Sequence, residues 1–222
     1  LGSDMIMVFD ECPPSTAKRS EIQAAVDRTL RWAEKCKKVH NELKGDRECM
    51  LFGIVQGGLE RDLREKCAEE LIAIGFDGYA IGGLAVGETP DEMYGVVEAV
   101  CPILPEDKLR YLMGVGVVEQ LQKCVGMGID MFDCVLPMRI ARHGTVLMSD
   151  GTSIRIQNAK YINDHSILDE DSPSTLGRKH SKSYLNHLFK AKERLAETIA
   201  SSQNIAVTLK TMQDLREQMD SN

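Results

Sequence analysis

Short apolar runs and longer amphipathic stretches alternate along the first two-thirds of the chain. Five runs, Met5–Phe9, Leu51–Val55, Gly78–Leu84, Tyr111–Val115 and Ile129–Val135, are rich in β-branched or aromatic residues and lie near Gly or Pro, which predicts strands. Between them the apolar positions fall at helical spacing. Glu21–Val39 puts Ile22, Val26, Leu30 and Ala33 on one face, and Glu60–Ile74 puts Leu63, Cys67 and Leu71 on another. Pro90–Val100 opens behind a Thr89 cap, with Pro90 in the first turn and Glu92 in the capping region, and Val118–Gly126 makes a shorter helix. Such alternation builds parallel strands covered by helices. Five strands satisfy a doubly wound sheet, whereas a (β/α)8 barrel needs eight.

After Pro137 the pattern changes. Gly144–Ile156 reads as a hairpin turning at Ser149-Asp150-Gly151-Thr152, and the polar stretch Asp164–Arg178 as a loop. His180–Ser202 is expected to be a helix with Tyr184, Leu188, Ala191 and Leu195 inward. A second helix, Asn204–Asp220, turns Ile205, Leu209, Met212 and Leu215 inward. The chain therefore divides into 1–137 and 138–222.

Composition narrows the class. With 43% hydrophobic and 27% charged residues in 222, the chain is long enough and apolar enough to bury a core. No run can span a bilayer as a helix. The opening Leu1-Gly2-Ser3-Asp4 has neither an initiator methionine nor a signal-peptide pattern and reads as a truncation point. Seven cysteines, none paired as CxxC, suit a reducing cytoplasm, most of them as small buried apolar residues. A net charge of −7 argues against a general nucleic-acid binder. Residues 137–200, however, hold 10 Lys+Arg against 7 Asp+Glu, a local excess that suits either a grip on a phosphate backbone or a plain solvated surface.

The chemistry sits at the tails of the apolar runs, where both α/β architectures place their ligands. Asp133 ends Ile129–Val135 after two large apolar residues, a costly place for a carboxylate unless it is used or paired. It could attack an anomeric carbon, or cap the next turn. Asp10 repeats the pattern on the first run. It could accept from the ring N–H and exocyclic amine of guanine, or serve the turn before Pro13-Pro14. Gln56 with Gly57-Gly58, and Gly82-Gly83-Leu84-Ala85-Val86-Gly87-Glu88, place an amide and bare backbone at strand ends, for a flat ligand, a phosphate nest or a tight turn.

Six segments, Phe9–Cys12, Phe52–Gly57, Gly75–Ala80, Gly82–Glu88, Tyr111–Gly116 and Gly128–Pro137, occur in an order and spacing that resemble the tRNA-guanine transglycosylase (queuine tRNA-ribosyltransferase) family over nearly the whole chain. The resemblance implies the C-terminal strands of a (β/α)8 barrel, with an inserted hairpin and a helical, tRNA-binding subdomain. It implies a transferase of queuosine biosynthesis, cytoplasmic, not membrane-bound, and a homodimer or heterodimer. Such an enzyme exchanges guanine at the wobble position of a tRNA anticodon loop for a 7-deazaguanine base. Asp133 matches the nucleophile that forms a covalent ester with ribose. Asp10 and Gln56 match the base-reading side chains. In the Gly82-Gly83-Leu84 turn, Gly83 matches a backbone N–H donor and Leu84 a backbone carbonyl acceptor. Met113 and Gly114 match the pocket wall, and Arg139 and Arg142 match residues that hold the anticodon loop. Cys12, Ala85 and Val86 are as in bacterial members, which implies prequeuine rather than the bulkier queuine.

Two departures accompany the resemblance. The family's structural zinc uses Cys-x-Cys-x-x-Cys and a later His. Here Asp169–Thr175 has no cysteine and Gln203 stands at the His position, so no zinc is expected, and the subdomain is expected either to rely on apolar packing of its last two helices or to be looser than usual. Three N-terminal barrel strands, which would bring another active-site Asp and a base-stacking aromatic, have no counterpart. The alternative to an enzyme is thus a catalytically impaired fragment or partner subunit that keeps the base and tRNA surfaces. A barrel glycosidase using Asp10 and Asp133 would call for sugar-stacking aromatics, and the single tryptophan, Trp32, lies on a helix.

Overall fold

The computed structural model describes residues 2–221, so Leu1 of the opening segment lies outside them. Five strands, β1 (Met5–Met7), β2 (Met50–Val55), β3 (Gly78–Ile81), β4 (Leu109–Leu112) and β5 (Met131–Phe132), form one sheet in the order β1-β2-β3-β4-β5, every neighbouring pair parallel. Between them run α1 (Arg19–Leu43), α2 (Arg61–Ile74), α3 (Pro90–Val100) and α4 (Val118–Gly126). The order never reverses, as it must in a doubly wound sheet. Consecutive helices also pack on one another, α1 on α2 and α2 on α3, which keeps them on one face. The result is an α/β half-barrel.

The chain forms two compact units. One is Leu1–Val115 with Lys123–Asp133, and the other is Gly116–Gln122 with Cys134–Asn222. In the first, β3 is buried along its whole length and β2 along all but Met50, the continuous apolar pattern of parallel strands covered on both faces. All the expected inward residues of α1 and α2 are buried. Each fully buried leucine, such as Leu71, contributes about 1.5–3 kcal/mol. α3 starts with the expected cap: the Thr89 hydroxyl accepts from Glu92 N–H, and the Glu92 side chain accepts from Thr89 N–H. β2 ends at Val55 as expected, whereas β1 ends at Met7, β3 at Ile81, β4 at Leu112 and β5 at Phe132, short of the expected ends, and the residues beyond form loops. Of the seven cysteines, Cys49, Cys67, Cys101 and Cys124 are buried and Cys12 is exposed.

In the second unit, α5 (Leu136–Arg142) precedes an antiparallel hairpin, β6 (Thr145–Leu147) and β7 (Ser153–Arg155). Its turn is fixed where Asp150 accepts from the Thr152 N–H at 2.9 Å and hydroxyl at 2.6 Å. The expected loop 164–178 contains a short helix, α6 (Thr175–Lys179). The last two helices differ from expectation. α7 (Lys182–Lys190) stops ahead of Lys192, whose φ of 58° breaks the helix, and α8 (Arg194–Asp220) then runs unbroken through Ser202-Gln203-Asn204. That polar run does not interrupt the helix, because Gln203 and Asn204 are buried and hydrogen-bonded. The inward face shifts accordingly to Leu185, Leu188, Ala196, Ile199, Ala200 and Val207, while Tyr184, Ala191, Leu195, Ile205 and Leu209 are exposed. Among the described residues no helix is long and apolar enough to cross a membrane.

Candidate active site

Parallel register converts distant sequence positions into one row. Val55 pairs with Ile81, Ile81 with Leu112, and Leu112 with Phe132. The residues one step beyond, Gln56, Gly82, Met113 and Asp133, therefore stand side by side at the C-terminal edge of the sheet. Two bonds extend the ladder there, Gly82 N–H to Val55 O at 3.1 Å and Met113 N–H to Ile81 O at 3.3 Å. On the first strand Met7 pairs with Phe52, and Asp10 lies in the loop that follows.

At one end of the row, Gln56 is 1% exposed and its Nε2 donates to Asp10 Oδ2 at 2.6 Å. Its Oε1 is buried without a hydrogen-bond partner among the described residues. An unmade bond of this kind costs about 1–3 kcal/mol, and such groups in folded proteins call for an explanation. Gly83, at φ 65°, lies directly against that oxygen.

Beneath the glycine turns lies Arg64, 0% exposed. Its Nε donates to Gly58 O at 2.8 Å, Nη1 to Val55 O at 2.8 Å and Gly82 O at 2.7 Å, and Nη2 to Gly83 O at 3.4 Å. One guanidinium thus fixes the loops after β2 and β3 together. Burial draws its pKa down to about 10, so it remains a cation at neutral pH. The next loop residues are held by Glu88, whose carboxylate accepts from Ala85 N–H and, at 3.0 Å, from Val86 N–H. Ala85 takes a φ of 57°, a left-handed conformation that costs a side-chain-bearing residue about 1–2 kcal/mol. Leu84 is buried and Val86 half-exposed. Ser15, three residues past the exposed Cys12, donates to Val86 O at 3.4 Å, joining the loop after β1 to this turn.

At the other end of the row, Asp133 Oδ1 accepts from Tyr111 Oη at 2.7 Å and from Gly114 N–H at 2.9 Å. Both bonds land on the same oxygen, and Oδ2 accepts none among the described residues. Burial, and then the bond to Asp133, raise the Tyr111 phenol above its ordinary pKa, so it stays a donor. Asp133 itself is exposed, reachable by a large substrate. An anchored carboxylate with one oxygen open is suited to attack an electrophilic carbon.

The structure thus joins Asp10 to Gln56 and Gly114 to Asp133 directly, and sets Gly82, Gly83 and Met113 between them. Arg139 and Arg142 are exposed on α5, in the other unit. Sequence reasoning missed Arg64, Tyr111 and the role of Glu88. Arg64 had a signal: it falls within the buried stripe Leu63, Cys67, Ala68 and Leu71 of α2, where an unpaired cation is out of place.

A family model described as queuine tRNA-ribosyltransferase matches residues 1–222. Among relatives named queuine tRNA-ribosyltransferase, that of Staphylococcus haemolyticus is 47% identical over 217 residues, 98% of this chain and 56% of its own length. That of Caldanaerobacter subterraneus subsp. tengcongensis is 49% identical over 98% of this chain and 57% of its own length. That of Halothermothrix orenii is 46% identical over 97% and 57%. The chain spans little more than half the length of these curated relatives. On the match along its entire length, the chain belongs to the queuine tRNA-ribosyltransferase family.

Proposed function

We propose that this chain carries the base-reading and nucleophilic part of a tRNA-guanine transglycosylase site, within a (β/α)8 barrel of which β1–β5 are the C-terminal strands. Residues 1–137 belong to that barrel, and 138–222 form a tRNA-binding subdomain in which Arg139 and Arg142 hold the anticodon loop. The observation that carries the reading is the row at the sheet edge. A set of polar groups suited to a base edge, Asp10, Gln56 and the Gly83–Leu84 backbone, shares that edge with an anchored carboxylate, Asp133.

The wobble guanosine leaves its stack to enter the site. Asp133 Oδ2 attacks C1′ of the ribose, the C1′–N9 bond breaks, and guanine leaves with the bonding pair and takes up a proton. The nucleotide remains as an ester on Asp133. A 7-deazaguanine then gives up its N9 proton and attacks C1′, and the ester C–O bond breaks. Two inversions give retention, as in retaining glycosidases. Tyr111 and Gly114 hold Oδ1, so the attacking oxygen keeps its orientation. Gln56 Oε1 accepts from a base N–H, which supplies the bond it otherwise lacks. Ala85 and Val86 narrow the pocket towards prequeuine, a discrimination of one methyl-scale contact, about 1–3 kcal/mol.

A second reading is a partner subunit that binds base or tRNA without catalysing exchange. β1 is an outer strand of its sheet and exposes Ile6, with Phe9 exposed just beyond it, which favours a need for further strands. Incubation with labelled guanine and tRNA separates the readings. Label is expected in tRNA with a version extended upstream. No label with either version removes the enzyme reading.

A further inference from the structure

The family resemblance implies a zinc ion in the second unit, and the residues present do not fit one. Ser172, Ser174 and Gly177 stand at the Cys-x-Cys-x-x-Cys spacing, and the three converge with Gln203. Neutral hydroxyls and a primary amide are poor zinc donors beside thiolate and imidazole, and Gly177 offers none. The amide is also fully committed. Gln203 Nε2 donates to Leu147 O at 3.0 Å and Asp169 Oδ2 at 2.8 Å, and Oε1 accepts from Ser172 Oγ at 2.5 Å. The hydroxyl in turn accepts from Ser174 N–H at 2.8 Å, and Asp169 also accepts from Ser149 N–H and Oγ at 2.8 and 2.7 Å. Asp169, Ser172, Ser174 and Gln203 are all more than nine-tenths buried. The centre is closed at Gly177, where a Cβ would run into Gln203 Oε1 and sit 2.6 Å from Ser172 Oγ.

We infer that Gln203 is a metal-free substitute for the zinc cross-link. Its amide ties the hairpin, through Leu147 and Ser149, to the 169–178 segment and to α8, doing with directional hydrogen bonds what four metal ligands would otherwise do. This goes beyond the apolar packing expected from the sequence. It rests on family membership and on the cluster, not on the proposed activity. A fully satisfied buried network holds its parts in one arrangement, and it fails sharply when one member is removed.

The test is metal content and thermal unfolding of the chain as purified. No stoichiometric zinc and the same Tm with or without EDTA are expected; stoichiometric zinc, or a Tm lowered by the chelator, would overturn the proposal. Gln203→Leu strands Asp169 and Ser172, and should lower Tm by more than about 5 °C; an unchanged Tm would overturn it too. Should that variant not fold, Gln203→Glu decides. While its new carboxyl is protonated, this variant reproduces both functions of the amide, donating to Asp169 and accepting from Ser172. Once ionised, the carboxylate opposes Asp169; of the nearby charges, Arg178 donates to Ser172 O, and Asp150, Asp171 and Lys210 line a cavity beside Ser149. Relative to the native chain, the variant's Tm should match near pH 5 and fall by several degrees by pH 8. A pH dependence parallel to the native chain's would overturn the proposal.

Discussion

Gly83→Ala is the substitution that probes the base-reading end most sharply. The backbone there has a φ of 65°, which costs an alanine about 1–2 kcal/mol. The added methyl overlaps Gln56 Oε1 and lies 3.4 Å from Gln56 Cδ and 3.5 Å from Arg64 Nη2. Neither neighbour can yield freely. Gln56 is buried and tied to Asp10 at 2.6 Å, and Arg64 is buried and tied to four carbonyls. Inserting a methyl into such a packed site costs a further ~1–3 kcal/mol. The total, about 2–5 kcal/mol, falls on the arrangement that meets the base, so guanine affinity should drop roughly 30- to several-thousand-fold. Calorimetric titration of the upstream-extended protein with guanine measures this, and thermal unfolding separates it from a global loss of stability. Wild-type guanine affinity and wild-type Tm together would refute the reasoning, since the geometry leaves no third place for the cost.

Arg64→Lys keeps the charge but cannot span carbonyls on two loops. Losing two of the four bonds should cost about 2–5 kcal/mol, read as a lower Tm and weaker guanine binding in calorimetry. Val86→Gly opens the half-exposed side of the same loop, and should shift base preference towards queuine by about 10-fold or more in competition exchange. Tyr111 gives a pH signature. Its folded pKa lies above the unfolded value of about 10, so its contribution to stability is complete below pH 10 and is lost as pH rises through the folded value. Ultraviolet titration of the native chain should therefore show Tyr111 still protonated when exposed tyrosines have ionised, and Tyr111→Phe should remove no absorbance change near pH 10.

How far the sequence led depends on which physical signal each residue leaves. The strand ends were legible because a carboxylate or a glycine pair at the tail of an apolar run contradicts its surroundings, and Asp10, Gln56, Gly83 and Asp133 all stand out in that way. The order of strands was not legible from periodicity, since five alternating units serve two architectures; only register and helix packing separate them. Arg64 left one trace, its place in the apolar stripe of α2, which is easily passed over among that helix's many charges, whereas Tyr111 looked like an ordinary strand aromatic, because a partner on another strand leaves no local trace. The break between the last two helices was misplaced for the same reason. Ser202-Gln203-Asn204 reads as a polar interruption until its side chains are seen bonding to the hairpin, and the true break at Lys192 rests on a backbone angle that composition does not announce.

The central claim is that Asp133 takes the ribose. Trapping the protein with tRNA during exchange, followed by denaturing electrophoresis and mass spectrometry of the bound peptide, tests it most directly. The account predicts nucleotide mass on the peptide containing Asp133 and no adduct in Asp133→Ala. An undiminished adduct in that variant, or nucleotide on a different residue, would contradict it.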